Sequence, residues 1–467
     1  MIATKNLRSS WIVRLGVLYV GSWFLSLLVW DTYFWDDWFN YFGQTAQSIR
    51  NSTGPFSGVF PPMVFLQGFM AEYFPPSFRI FAFIAYPLSA VALWGVLRKS
   101  SRVTRNEAVA LVILFLLMPT NSARLSMTIF RYTSANLFFF TGWWLYARGS
   151  TRLSRIAALA LLILSFDTAS FIVFMVAPLG LSLLEALDRN VSIIAWIRRN
   201  IVFILAGPAC WFIEPMLNPT VDPVRADYYS PSLSGLSRGV LLGFVVIAIG
   251  GWIRLRKGFT YESHRSLLQI YAGIFLVWLG MFPYMALGHF PNVNSLLIGF
   301  VPGASDWDSR HQLLLPLGLA LLIVGLANAL NSHKLFSVVW VAAVAGSLLN
   351  FTYSHEYYVD SIKITRIIES LRSNEDIREV HFALIDDTAT RFNARGRTIR
   401  SYEWDAMLEA ANPDLHQKTD VLRYVDCAAI QPDAIISIRS SHGKLRTLVL
   451  RDPGISLLIT PIAPCRP

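Results

Sequence analysis

The chain has 467 residues, 54% of them hydrophobic and only 15% charged; ordinary soluble domains carry roughly a quarter charged residues, so too little polar surface exists here to coat a globule. The formal net charge of +10 does not mark a nucleic-acid binder, because residues 1–355 hold 25 Lys+Arg against 14 Asp+Glu whereas residues 356–467 hold 15 against 16. The excess sits in the apolar part of the chain, where it orients membrane helices. The composition is that of a polytopic membrane protein in contact with membrane lipids.

The first apolar run, residues 11–30, begins beside Lys5, Arg8 and Arg14 and lacks a small-residue cleavage site. It reads as an uncleaved first span with a cytoplasmic N-terminus. Directly after it comes "WDTYFWDDWFNYFG", residues 30–43, with the adjacent acids Asp36 and Asp37. Written as a helix, this stretch puts Trp35, Trp38, Phe39 and Phe42 on one face and Asp36, Asp37, Asn40 and Gln44 on the other. Such a helix lies in the membrane interface and leaves both carboxylates at the water boundary. The bland version is an aromatic belt with two solvated acids. Adjacent carboxylates near a low-dielectric surface raise at least one pKa unless a cation or metal compensates, which suits a general base.

Further apolar runs follow near 78–97, 106–120, 132–147, 156–166, 170–187, 200–217, 238–253, 266–288, 311–330 and 335–353, for about eleven spans in all. The loops between them alternate in charge. One set, comprising the N-terminal tail and residues 98–105, 148–155, 189–199, 254–265 and 331–334, is rich in Lys and Arg and is expected in the cytoplasm. The opposite set carries the acids together with a few cations. "PTNSARLSMTIFRY" offers Arg124 and Arg131, and "LSFDTAS" places Asp167 at a turn between two apolar runs. "NPTVDPVRADYYSPSLSG" offers Asp222, Arg225, Asp227, Tyr228 and Tyr229, and the loop before residue 311 offers His289, Asp306, Asp308, Arg310 and His311. Each cation has helix-end anchoring as its ordinary explanation. For Asp167 the two readings are a hydrated turn residue and a functional acid, and paired tyrosines are common in interface belts.

Eleven spans place residues 356–467 on the outer side. That segment mixes its charges, has helical stretches around 358–373 and 403–411, and has strand-like runs at 380–385, 434–439, 445–451 and 456–462. It reads as a small extracytoplasmic α/β or α+β domain following a transmembrane domain, 1–355, whose first outer loop is 31–77. Asp386 and Asp387 follow the first strand and read as structural turn residues. Cys210, Cys427 and Cys465 have no metal or redox spacing, and a Cys427–Cys465 disulfide would fit an oxidising compartment. No glycine-rich phosphate loop, Ser/His/Asp order or Cys/His cluster is present, which argues against a nucleotide-driven pump or a hydrolase.

A first span followed at once by an outward acidic pair, "FWDDW", together with an odd span count and an outer C-terminal domain, resembles the GT-C class of integral membrane glycosyltransferases. The "DD" form is similar to that of bacterial arabinosyltransferases and related polyprenyl-phosphate-sugar enzymes. The resemblance implies an α-helical, GT-C-like membrane fold and inverting transfer of a sugar from a polyprenyl-phosphate donor to an acceptor hydroxyl on a glycan, lipid or protein. It implies a bacterial plasma membrane and cell-envelope glycan biosynthesis. In its terms Asp36 is the base, while Asp37 orients the acceptor or helps bind a divalent metal such as Mg or Mn, with the two roles exchangeable. Arg310 and His311, then Arg131 and Arg124, hold the donor phosphate; Asp167, Tyr228, Tyr229 and Arg225 are candidate acceptor or sugar contacts. Two other classes stay open: a lipid-linked sugar flippase or secondary transporter, and an O-antigen polymerase or ligase. The first is disfavoured by acids that concentrate outside the helices rather than at mid-membrane.

Overall fold

The computed structural model describes residues 3–29, 32–35, 37–38, 66–70, 73–74, 76–149, 151–217, 232–255, 261–288, 310–331, 334–374, 382–394, 397–411, 420–422, 434–440 and 455–461. The apolar runs become helices: α1 (Ala3–Trp23), α2 (Ser77–Leu97), α3 (Arg105–Leu117), α4 (Phe130–Arg148), α5 (Arg152–Ser165), α6 (Ser170–Phe174), α7 (Val176–Asp188), α8 (Ile193–Leu217), α9 (Leu233–Leu255), α10 (Tyr261–Ala286), α11 (Leu315–Asn331) and α12 (Leu335–Ser373). Pro87 and Pro283 lie inside α2 and α10, positions that membrane helices tolerate because neighbours satisfy the freed backbone groups.

Among the described residues six helices are long and apolar enough to cross a membrane, and two shorter apolar helices accompany them; this is a membrane protein with fewer clear spans among those residues than the eleven expected. Length accounts for part of the shortfall. The runs at 106–120 and 156–166 yield helices of 13 and 14 residues, about 20 Å at 1.5 Å per residue against a hydrocarbon core of about 30 Å. The sixth and seventh helices meet at Met175 and read together as one apolar stretch, Ser170–Asp188.

Helix α3 is the hub. Thr104 caps it, its side chain accepting from the Glu107 N–H while the Glu107 carboxylate accepts from the Thr104 N–H, and every residue from Glu107 to Leu117 is buried. A helix apolar all round has no solvent or lipid face to offer, and α3 packs on α1, α2, α11 and α12. Glycines set two of the close approaches. A Cβ on Gly346 of α12 would lie 2.4 Å from the Leu117 carbonyl oxygen, and Gly273 of α10 and Gly318 of α11 face each other's backbones in the same way.

The basic loops meet at one end of the bundle. Arg102 holds Asp188 through two hydrogen bonds, Lys99 reaches the Arg148 carbonyl, and Arg155 reaches that of Arg199. Glu107 accepts from Arg265, Gln269 and Asn328 as well as from Thr104, tying α3, α10 and α11 together there.

Helix α12 runs for 39 residues, about 58 Å and nearly twice the hydrocarbon thickness. It therefore continues without a break from the bundle into the C-terminal domain, and the expected boundary after residue 355 falls inside it. The domain contains β1 (Phe382–Asp387), α13 (Ser401–Ala411), β2 (Asp420–Leu422), β3 (Ala434–Ser440) and β4 (Ile455–Pro461). The sheet order is β2-β1-β3-β4, with β1 parallel to both β2 and β3, and β3 antiparallel to β4. Ile364, Ile367 and Leu371 of α12, Trp404 and Met407 of α13, and Ala383, Ile436 and Ile438 of the sheet are buried in the same core. Helices packed on a small sheet agree with the α/β or α+β character expected of the C-terminal segment. The strand-like run 445–451 and the Cys427–Cys465 pair lie outside the described residues, whereas Asp386 and Asp387 end β1 instead of forming a turn.

The interfacial helix expected after α1 requires correction. Trp35 has a left-handed backbone, φ +51°, so no helix runs through it; Asp37 and Trp38 are helical, and residues 39–49 of the expected helix lie outside the described residues. Trp35, Asp37 and Trp38 are all buried; the acid does not sit at the water boundary opposite an aromatic face. Tertiary partners from the bundle and the C-terminal domain overrule the local periodicity.

Candidate functional site

At the end of the bundle opposite the basic loops, Asp37 lies at 0% exposure. Its Oδ1 accepts from Ser126 Oγ at 2.6 Å, Thr128 N at 3.0 Å and Thr128 Oγ1 at 3.1 Å. Its Oδ2 accepts from Phe34 N at 3.1 Å and stands 3.9 Å from Arg79 Nη2. Burial pushes the carboxyl above the ordinary carboxylate range, while Arg79 and the donors from Ser126, Thr128 and Phe34 pull it back. The side chain ties residues 34–38 to the loop 118–129 and to the first turn of α2.

That loop is bonded onward around the helix ends. Asn121, left-handed at φ +52°, donates its N–H to Gln312 Oε1 at 3.4 Å. Gln312 follows Arg310 and His311 in a short turn before α11, all three being buried. The His311 ring lies 4.5 Å from that of Tyr284 at the end of α10, and the Tyr284 hydroxyl donates to Ser170 Oγ at 3.3 Å. Three residues earlier in the chain, Asp167 accepts from Arg131 Nε at 2.8 Å and from its Nη2, a bidentate pair in which the Asp167 side chain is only 2% exposed. Arg131 opens α4, immediately after the loop that holds Asp37. Asp37, Arg131, Asp167 and His311, drawn from separate segments, thus lie on loops and helix ends linked to one another at this end of the bundle, with Arg310 next to His311 in the chain.

Arg124 sits in the same loop but is held differently. Its guanidinium carbon lies 3.4 Å from the Trp23 ring centroid, 4.3 Å from that of Tyr86 and 6.0 Å from that of Tyr19. Among the described residues no carboxylate pairs with it, and its buried Nη2 has no hydrogen-bond partner. Burial pushes this guanidinium below its ordinary range, and Tyr19 and Tyr86 resist the shift; arginine stays charged throughout.

The other flank of the acidic stretch meets the C-terminal domain. Trp35 N donates to Glu403 Oε2 at 3.1 Å. Glu403 also accepts from Arg397 Nη1 at 2.6 Å, and Arg397 Nε reaches Asp360 Oδ2 at 2.7 Å, with all three residues buried. Burial works against the Arg397 charge, but Asp360 and Glu403 prevail and hold the guanidinium above its ordinary range. Nearby, Lys363 donates to Asp387 Oδ2 at 2.6 Å and to Asn393 Oδ1 at 2.7 Å.

Several residues singled out from the sequence, Asp36, Tyr228, Tyr229, Arg225, Asp222, Asp227, His289, Asp306 and Asp308, lie outside the described residues. Sequence reasoning passed over Arg79, Ser126, Thr128, Arg397 and Glu403. Of these only Arg79 left a signal, a cation in the first turn of a strongly apolar helix. Among the described residues no group of three His, Cys, Asp or Glu side chains is placed to hold a metal ion. A metal on Asp37 would have to compete with the three donors on its Oδ1 and the one on its Oδ2.

No family model matches the chain, and no curated protein does. The crystal structure of ArnT from Cupriavidus metallidurans bound to undecaprenyl phosphate is similar over 97% of this chain and 98% of that one, at 12% identity and a TM-score of 0.36. A likeness at that score decides neither fold nor function.

Proposed function

We propose that the chain is an inverting glycosyltransferase that moves a sugar from a polyprenyl-phosphate donor to an acceptor hydroxyl, at the membrane face opposite the basic loops. The observation that supports this reading is the layer of loops and helix ends there. Around an acidic stretch it gathers four buried or half-buried arginines, Arg79, Arg124, Arg131 and Arg310, contributed by different segments. Cations of this kind at a helix mouth suit a phosphate that gains charge as it leaves.

In the proposed reaction a carboxylate takes the proton of the acceptor hydroxyl, the oxygen forms its bond to the anomeric carbon, and the bond from that carbon to the lipid phosphate oxygen breaks with its electron pair. The phosphate departs as a stable anion, so no general acid is required. Asp36 is assigned as the base, because Asp37 has its oxygens occupied and no exposed surface. Asp37 then serves as the anchor of the stretch. Arg310 with His311 in the turn before α11, and Arg131 and Arg124 on the loop side, are proposed for the donor phosphate; Arg131 would have to share its charge with Asp167. Arg225, Tyr228 and Tyr229 remain proposed sugar or acceptor contacts. In this reading the basic loops face the cytoplasm of a bacterium and the C-terminal domain lies outside.

The deciding measurement is transfer from radiolabelled polyprenyl-phosphate pentose and hexose in membranes, comparing Asp36→Asn with the wild type. A loss of about a thousand-fold is expected from removing a general base. Full activity in Asp36→Asn would sink the assignment. Asp37→Asn is the weaker arm, since it perturbs an anchor as well. A reporter active only outside the cytosol, fused at residue 467, checks the sidedness.

A further inference from the structure

We infer that the C-terminal domain positions the acidic stretch, with Glu403 and Arg397 as the positioning residues; the catalytic consequence rests on the glycosyltransferase reading, the mechanical one does not. Trp35 is a bulky residue at φ +51°, a backbone region that such a side chain adopts only when its surroundings hold it there. Contacts from the C-terminal half of the chain hold it. Glu403, 368 positions away in sequence, accepts its N–H. The Trp35 and Phe34 rings pack edge-on against Tyr357 of α12, with centroids 5.5 Å and 5.2 Å away. The Arg397 guanidinium lies 5.6 Å from the Trp35 ring centroid and 5.8 Å from that of Phe34.

The buried charges behind this contact have a purpose other than stability. Burying ions costs desolvation that pairing often fails to recover, and apolar side chains of similar volume would hold a core as well. Asp360, Arg397 and Glu403 instead give a geometry with direction, in which Arg397 fixes the Glu403 carboxylate and Glu403 fixes one backbone amide. Two residues further on, Asp37 is tied to Ser126 and Thr128 of the bundle. The stretch carrying Asp36 is therefore gripped on one side by the domain and on the other by the bundle. Because α12 runs unbroken from the bundle into the domain, the two grips keep a set separation.

The test uses the full chain in lipid nanodiscs. Hydrogen exchange of the amides at 32–38 is followed with that of β3 as a control for folding, alongside initial-rate kinetics. Glu403→Gln is expected to speed exchange at 32–38 by about ten-fold while β3 is unchanged, and to lower kcat by up to about a hundred-fold with the donor KM unmoved. Glu403→Asp, which keeps the charge, restores part of kcat. Asp387→Asn weakens the Lys363 pair in the same domain without touching the stretch, and is the control for a merely structural effect. Unchanged exchange at 32–38 in Glu403→Gln would overturn the proposal, as would a kcat loss no larger than that of Asp387→Asn at equal thermal stability. Should Glu403→Gln fail to fold, Tyr357→Leu removes the ring contacts and leaves the ion pairs, and the same exchange comparison decides. A wild type that transfers no sugar from any lipid-phosphate donor removes the functional reading, while the exchange arm alone still decides whether Glu403 holds the stretch.

Discussion

Replacing Asp37 by alanine removes the acceptor for four donors at once. Two of them, Ser126 Oγ and Thr128 Oγ1, are hydroxyls that can rotate toward other acceptors, but the amides of Phe34 and Thr128 are fixed by the backbone. A buried N–H left without a partner costs roughly 1–3 kcal/mol, so two cost about 4 kcal/mol. Relief of the carboxylate's own desolvation, the first cause of its raised pKa, offsets part of this. A net destabilisation of about 3 kcal/mol is expected. Asp37→Asn keeps an oxygen for Ser126 and Thr128 and turns its amide toward Phe34 N and Arg79, so it orphans one backbone amide and ranks between wild type and alanine. Thermal unfolding in detergent, read with far-UV ellipticity, gives the order. An alanine variant within about 0.5 kcal/mol of wild type would refute the account, since surface substitutions produce changes of that size.

The pH dependence follows from the direction of the same shift. The folded chain binds the Asp37 proton more tightly than the unfolded chain does, so its contribution to stability is full below the unfolded carboxyl pKa of about 4 and is lost as pH rises through the folded one. Unfolding midpoints measured across the acid range should show this loss in wild type and lack it in Asp37→Asn; equal profiles would remove Asp37 as its source. Asp167→Asn breaks a bidentate pair whose acid is 2% and whose arginine is 11% exposed. It should cost about 2 kcal/mol, below the 3–5 typical of a fully buried pair because the amide keeps one acceptor. Adding Arg131→Gln should recover part of that loss, and a strictly additive double-mutant cycle would show that the two side chains are not coupled.

Residues 106–120 and 335–353 announce their helices through apolar content alone, and Thr104 with Glu107 marks the start of α3 before any contact is known, because a capping box is a property of four consecutive residues. The alternating charge of the loops likewise anticipates which helix ends meet: Arg102 with Asp188 and Arg265 with Glu107 come from the basic set expected to share a side. The runs at 434–439 and 456–462 disclose their strands by β-branched and aliphatic content, whereas β2, only three residues long, has too little pattern to stand out. The acidic stretch shows the limit of local reading. Its periodicity describes a helix with acids on one face, yet Trp35 turns left-handed and Asp37 is buried, because Glu403 lies 368 residues from Trp35 and Ser126 lies 89 residues from Asp37. Apolar composition and loop charge, summed over neighbouring residues, determined by themselves the helices and the grouping of their ends. Which carboxylate is locked away, which arginine it faces and which domain grips the stretch depend on contacts between distant positions, and only the folded chain creates those.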